Sequence, residues 1–147
     1  MVTKKIDKPD DQLGYLLSQT AFLKQRIVNA ALKELDITYV QFIILAGTLE
    51  LGENDQAVTQ QIISSGRHLD KAMVSNVVKT LIDKNLMTRD VHPVDKRSFI
   101  LKLTKPGEEK AIRGKEIALK IDADFFAGID QEELRKSLKK LLSNDNE

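Results

Sequence analysis

Wound as a helix at about 100° per residue, the segment LDKAMVSNVVKTLIDKNL, residues 69–86, separates into two chemically different faces. Val74, Val77, Val78 and Leu81 fall on one side, while Ala72, Ser75, Asn76, Lys79 and Asp83 gather on the other. The first face belongs to a core. The second carries small or hydrogen-bonding side chains and one lysine, which suits a helix that lies in the DNA major groove and reaches base edges and phosphates. A polar solvated face is also what most surface helices have, so the neighbouring segments must separate the two readings. Asp70 is positioned as an N-cap before Lys71. Upstream, AVTQQIISSG (57–66) is a short helical run that ends on a Ser-Ser-Gly turn signal, so the order is helix, tight turn, helix.

Downstream lies a hairpin. In RSFILKL (97–103), Phe99, Leu101 and Leu103 alternate with Ser98, Ile100 and Lys102, the period of a half-buried strand, and residues 87–92 can pair with it. Pro93 presets φ for a turn and offers no amide hydrogen, which places PVDK at the tip and leaves Asp95, Lys96 and Arg97 exposed there. An arginine in that place can enter a minor groove, drawn by its negative potential, and a carboxylate two residues away can orient the guanidinium. The competing reading is a surface ion pair of little energetic worth.

Charge is distributed to match. The chain has 147 residues and a net charge of +1, but residues 67–105 hold nine Lys/Arg against four Asp/Glu, while the segments on either side are each acidic by two charges. A basic middle segment produces a local field that attracts polyanions. Outside it, residues 11–35 form a long helical pattern with Leu13, Leu16, Leu17, Phe22, Leu23 and Ile27 among its apolar positions. Residues 36–52 read as a second helix, buried on most sides, capped by Asp36 or Thr38 and stopped at Gly52. PGEEKAIRGKEIALKIDADFFAG (106–128) and DQEELRKSLKKLLS (130–143) read as two more helices, and NDNE (144–147) as a disordered tail.

Composition removes other classes of function. The length suits one domain with its own core. No apolar run approaches the roughly 20 residues of a membrane span, and the N-terminus lacks the apolar segment of a signal peptide, so a cytoplasmic protein without membrane contact is expected. Cysteine is absent, which excludes disulfides, thiolate metal sites and thiol switches. His68 and His92 are the only histidines; a metal would need carboxylates to complete its ligand set, and a turn or phosphate-contact role fits His68 better. Tyr15, Phe22, Tyr39, Phe42, Phe125 and Phe126 could line an effector pocket, although aromatics at helical spacing more often fill a core. No phosphate-binding glycine loop and no nucleophile with an adjacent base is found, so neither a cofactor nor catalysis is expected.

LDITYVQFIIL (35–45) and the run from Leu69 to Gly107 resemble the MarR family of bacterial winged-helix transcriptional regulators, and the resemblance extends over about residues 11–143. Its most specific part is Asp95 and Arg97, followed by Leu103, Thr104 and Gly107, which match the family's D-x-R wing and its leucine-threonine and glycine. The resemblance implies a mainly α fold with a small β wing. It further implies a homodimer held by residues 11–35 and 106–143, with a winged helix-turn-helix over 37–105 facing a pseudo-palindromic operator on double-stranded DNA. Repression relieved by a small-molecule effector is implied too. Carried over by position, the DNA-binding residues are Lys71, Ala72, Met73, Ser75, Asn76 and Lys79 on the helix, with Asp95, Lys96 and Arg97 on the wing. Many relatives carry a basic residue where this chain has Asn76; asparagine instead can pair bidentately with adenine. The alternative from another class is a winged-helix protein-interaction module that does not touch DNA.

Overall fold

The computed structural model describes residues 9–53 and 57–144. The N-terminal residues read for a targeting signal, residues 54–56 and the last three residues of the expected tail lie outside that range. Six α-helices and one hairpin follow in order among the described residues: α1 (Leu13–Leu32), α2 (Tyr39–Gly52), α3 (Gln60–Gly66), α4 (Lys71–Asp83), β1 (Met87–Val91), β2 (Phe99–Leu103), α5 (Lys105–Phe125) and α6 (Gln131–Leu142). This is the expected mainly helical fold with a small β wing.

The second helix, α2, is apolar nearly all round, which requires neighbours on several sides. It packs against α5, α4 and β2, and its Phe42, Ile44 and Leu45 join Val28 and Leu32 of α1, Ile63 of α3, Val74, Val78 and Leu81 of α4, and Leu101 of β2 in one core. Thr38, not Asp36, caps it: the Gln41 amide donates to the Thr38 hydroxyl (3.2 Å) and the Thr38 amide donates back to the Gln41 side chain (3.0 Å). Such a reciprocal box is worth about 1 kcal/mol. Asp36 instead sits in the left-handed region (φ 54°) after the short 3-10 turn Lys33–Leu35 that ends the first helix, and Lys84 and Lys110 donate to the carbonyls of Asp36 and Leu35 there.

The strands pair antiparallel with Met87 opposite Leu103 and Val91 opposite Phe99. On its free edge, β2 donates the Leu101 amide to the Val58 carbonyl (2.8 Å), which attaches the hairpin to the segment that leads into α3. At the other end of β2, the Thr104 hydroxyl accepts from the Gly107 amide (3.1 Å) and donates to the Asn85 carbonyl (2.8 Å). The start of α5 is thereby locked to the turn that follows α4.

Among the described residues no single helix is long and apolar enough to cross a membrane; α1 with its 3-10 extension and α2 together reach the length but are bent by 77°.

Candidate nucleic-acid interface

The α4 helix begins where its sequence indicates. The Asp70 carboxylate accepts the Met73 amide (3.0 Å), which satisfies one of the orphan donors of the first turn. Val74, Val78 and Leu81 are fully buried. Lys71, Ala72, Asn76 and Lys79 are exposed, and Met73 and Ser75 are half-buried at the edges of the same face. Thr80 is exposed one turn beyond Asn76 and donates its hydroxyl to the Asn76 carbonyl (3.2 Å).

The turn into α4 departs from the Ser-Ser-Gly signal but agrees with the turn role expected of His68. Ser64, Ser65 and Gly66 form the last turn of α3, and the chain reverses at Arg67 and His68, with His68 in the left-handed region (φ 53°). The Leu69 amide donates to the Ser64 carbonyl (3.0 Å) while the Ser64 hydroxyl donates to the Leu69 carbonyl, so a serine and a histidine perform the reversal expected of the glycine.

The hairpin tip is organised from within. The His92 amide donates to the Ser98 carbonyl and the Ser98 amide to the Asp95 carbonyl (both 3.0 Å). His92 Nδ1 accepts the amides of Val94 (3.1 Å) and Asp95 (3.0 Å), so this nitrogen is held as an acceptor. This role of His92 was not anticipated; its only trace in the sequence is a histidine immediately before the turn proline. The expected clasp between Asp95 and the Arg97 guanidinium is absent among the described residues: the Asp95 carboxylate accepts the Arg97 backbone amide (3.1 Å). In a tight turn the amide two residues on is simply nearer than the end of a long side chain. Asp95 thus shapes the loop from which Arg97 projects, and Asp95, Lys96 and Arg97 are all exposed. Phe99 shares the inward side of β2 but lies beyond the core; it stays 39% exposed and carries the Arg89 guanidinium 4.9 Å from its ring centroid.

Helix, turn and wing are contiguous. Gln61 of α3 lines one cleft with Lys71 and another, of about 430 Å³, with His92, Asp95 and Ser98. Of the basic residues in this region, Arg67 and Lys84 are committed to Glu50 and Asp36, whereas Lys71, Lys79, Lys96 and Arg97 pair with no carboxylate among the described residues. Arg89 and Lys102 on the strands likewise pair with no carboxylate among the described residues, so the polar face of α4 and the wing both carry cations available to a polyanion. Phosphates on either side of a groove demand that arrangement.

The aromatic residues considered for an effector pocket do not converge. Phe42 is buried, Tyr15 and Phe22 are exposed on α1, and Phe125 and Phe126 stack edge to face (5.0 Å) at the end of α5. Phe126, Leu134, Leu138 and Leu142 line a shallow groove of about 190 Å³. No group of three or more potential metal ligands occurs among the described residues.

Comparison with known proteins agrees with this geometry. Residues 26–113 match the model of the transcriptional regulator SarA/Rot family. The chain is 37% identical over 142 residues to YdcH, an uncharacterised HTH-type transcriptional regulator of Bacillus subtilis, covering 96% of this chain and 97% of that protein. Among solved structures, MepR of S. aureus in complex with DNA superposes with a TM-score of 0.80 at 25% identity, covering 90% of this chain and 98% of MepR. CouR of Rhodococcus jostii RHA1, bound to p-coumaroyl-CoA, superposes with a TM-score of 0.79 at 23% identity, covering 94% of each chain. The chain is therefore a transcriptional regulator of the MarR type, with a winged helix-turn-helix, and belongs to the SarA/Rot family of such regulators.

Proposed function

We propose that this regulator is a cytoplasmic homodimeric repressor that binds a pseudo-palindromic operator on double-stranded DNA through residues 37–105 and is released by a small-molecule effector. The observation that carries the proposal is the polar face of α4 flanked by unpaired Lys71, Lys79, Lys96 and Arg97. Ala72, Met73, Ser75 and Asn76 contact base edges, the lysines neutralise phosphates, and Arg97 enters the minor groove from a tip shaped by Asp95.

Surplus apolar surface supports the dimer. On α1, Leu13 is 85% and Phe22 63% exposed, and Leu119, Ile129, Leu141 and Leu142 are uncovered on and after α5. No residue of α6 is buried. Large apolar side chains left exposed in this number mark an interface, and two-fold pairing of residues 11–35 and 106–143 covers them in both copies. CouR bound to an acyl-CoA supports an effector for this chain, without indicating which one.

The test is selection of bound sequences from a random duplex pool, followed by affinity measurements across a salt series. The expected result is a palindromic consensus with log affinity falling linearly in log salt. Binding without sequence preference, or none, would favour the protein-interaction module.

A further inference from the structure

We propose that Glu50 is a positioning residue for DNA binding, its carboxylate tying the turn before α4 to the long helix α5 and so setting the half-site spacing that a dimer accepts. The inference rests on the dimeric DNA-binding reading above. Glu50 lies in the last turn of α2, outside the proposed DNA contacts. One carboxylate oxygen receives the Arg67 guanidinium and the other the Lys115 ammonium at 3.0 Å. Arg67 forms the reversal between α3 and α4, four residues before the first residue of α4, and Lys115 lies midway along α5. One acid on the central helix thus joins the DNA-reading part to the proposed dimer stem.

The surroundings favour this bond. One helical turn before Glu50, Gly47 lies beneath the Arg67 side chain, and a Cβ there would sit 3.1 Å from Arg67 Nε. The glycine allows the arginine to lie flat along α2. Arg67 is also held by its own backbone, whose amide donates to the Ile63 carbonyl (3.0 Å). Its guanidinium therefore reports the position of the turn and not merely that of a mobile side chain. Partial burial raises the proton affinity of Glu50, but Lys115 and Arg67 outweigh it and hold the carboxyl below its ordinary value. The group is ionised wherever the protein is folded near neutrality.

Partly exposed ion pairs contribute little to folding, so a stabilising role is the weaker explanation. Spacing is more sensitive. Two reading helices must enter successive major grooves about 34 Å apart, and a spacer changed by one base pair both shifts and rotates one half-site relative to the other. A fixed angle between head and stem rejects such operators, and a loosened one tolerates them.

The experiment uses the full-length protein and the selected operator, together with versions whose spacer is one base pair longer or shorter. Wild type is expected to lose at least about tenfold in affinity on altered spacers, and Glu50→Gln no more than about threefold. Lys115→Met, at a more exposed position, provides the same comparison should Glu50→Gln fold poorly. Urea unfolding of each variant separates loss of fold from loss of angle, because lower stability alone does not change the ratio between operators. Equal discrimination by wild type and both variants would overturn the inference while leaving the DNA-binding reading intact. So would a wild type that binds its operator but ignores spacing. A wild type that binds no DNA would overturn that reading and the inference with it.

Discussion

Replacing Gly107 with alanine tests how α5 is joined to the winged part. Gly107 is the third residue of α5, and a Cβ added there would lie 1.9 Å from the Leu86 carbonyl oxygen and 2.8 Å from its carbon. The clash is with backbone, and that backbone is not free to retreat: the Leu86 carbonyl accepts the Thr104 amide (3.1 Å), and the Leu86 amide donates to the Leu81 carbonyl (2.9 Å). Relief requires a shift of more than about 1 Å, an overpacking cost of about 1–3 kcal/mol. Breaking the Thr104–Leu86 bond adds about 1–3 kcal/mol for a buried group left unpaired. Better helix propensity of alanine returns about 1 kcal/mol. The net expectation is a loss of roughly 1–5 kcal/mol, or about 2–20 °C in Tm for a chain of this size. Urea unfolding at fixed protein concentration measures it, the concentration being held because the proposed dimerisation would be linked to folding. Gly66→Ala is the control, since nothing lies within 4 Å of a Cβ there, and a change within about 0.5 kcal/mol is expected. If Gly107→Ala also stays within about 0.5 kcal/mol of wild type, the joint is compliant and the argument fails.

Other perturbations address the interface. Asn76→Ala should cost about 1–3 kcal/mol on the selected operator and little on scrambled duplexes, measured by fluorescence anisotropy. Arg97→Ala should weaken both duplexes alike and reduce the salt slope by about one unit, which titrations at several salt concentrations would read. Deleting residues 129–147 removes Leu138, Leu141 and Leu142 and should convert a micromolar dimer to monomer in sedimentation, with DNA affinity lost in parallel. Because the Glu50 carboxyl titrates below its ordinary value of 4.5 in the folded chain, its contribution is complete above that pH and is lost as pH falls through the lowered value. The stability difference between wild type and Glu50→Gln should therefore shrink on acidification below about pH 4.5, as urea unfolding at stepped pH would show.

Long periodic elements were legible from residues alone. The two faces of α4, its Asp70 cap and the alternation in β2 follow from spacings of 3.6 and 2, which burial enforces over several residues at once. Short reversals were less legible, because one hydrogen bond suffices to settle them. Gly66 attracted the turn signal and His68 a turn role, and the left-handed position falls to His68, between the hydrogen-bonded Ser64 and Leu69. Asp36 and Thr38 were equivalent candidates as caps until the side chain of Gln41 selected Thr38. Asp95 and Arg97 were correctly placed on the tip, but not the atoms through which they meet. The Glu50 node was hidden for another reason: its three members are 17 and 48 positions apart, and no local period connects them.

The hydrogen bonds that give the hairpin tip its shape begin and end within residues 92–98. The tip is therefore a self-contained cassette, carrying its own folding instructions across two strand ends. A loop of this kind can be transplanted between related scaffolds, provided the cut falls outside His92 and Ser98 and not merely around the exposed residues. Exchanging Asp95, Lys96 and Arg97 alone would import charges without the frame that aims them, whereas exchanging the seven-residue unit would import both.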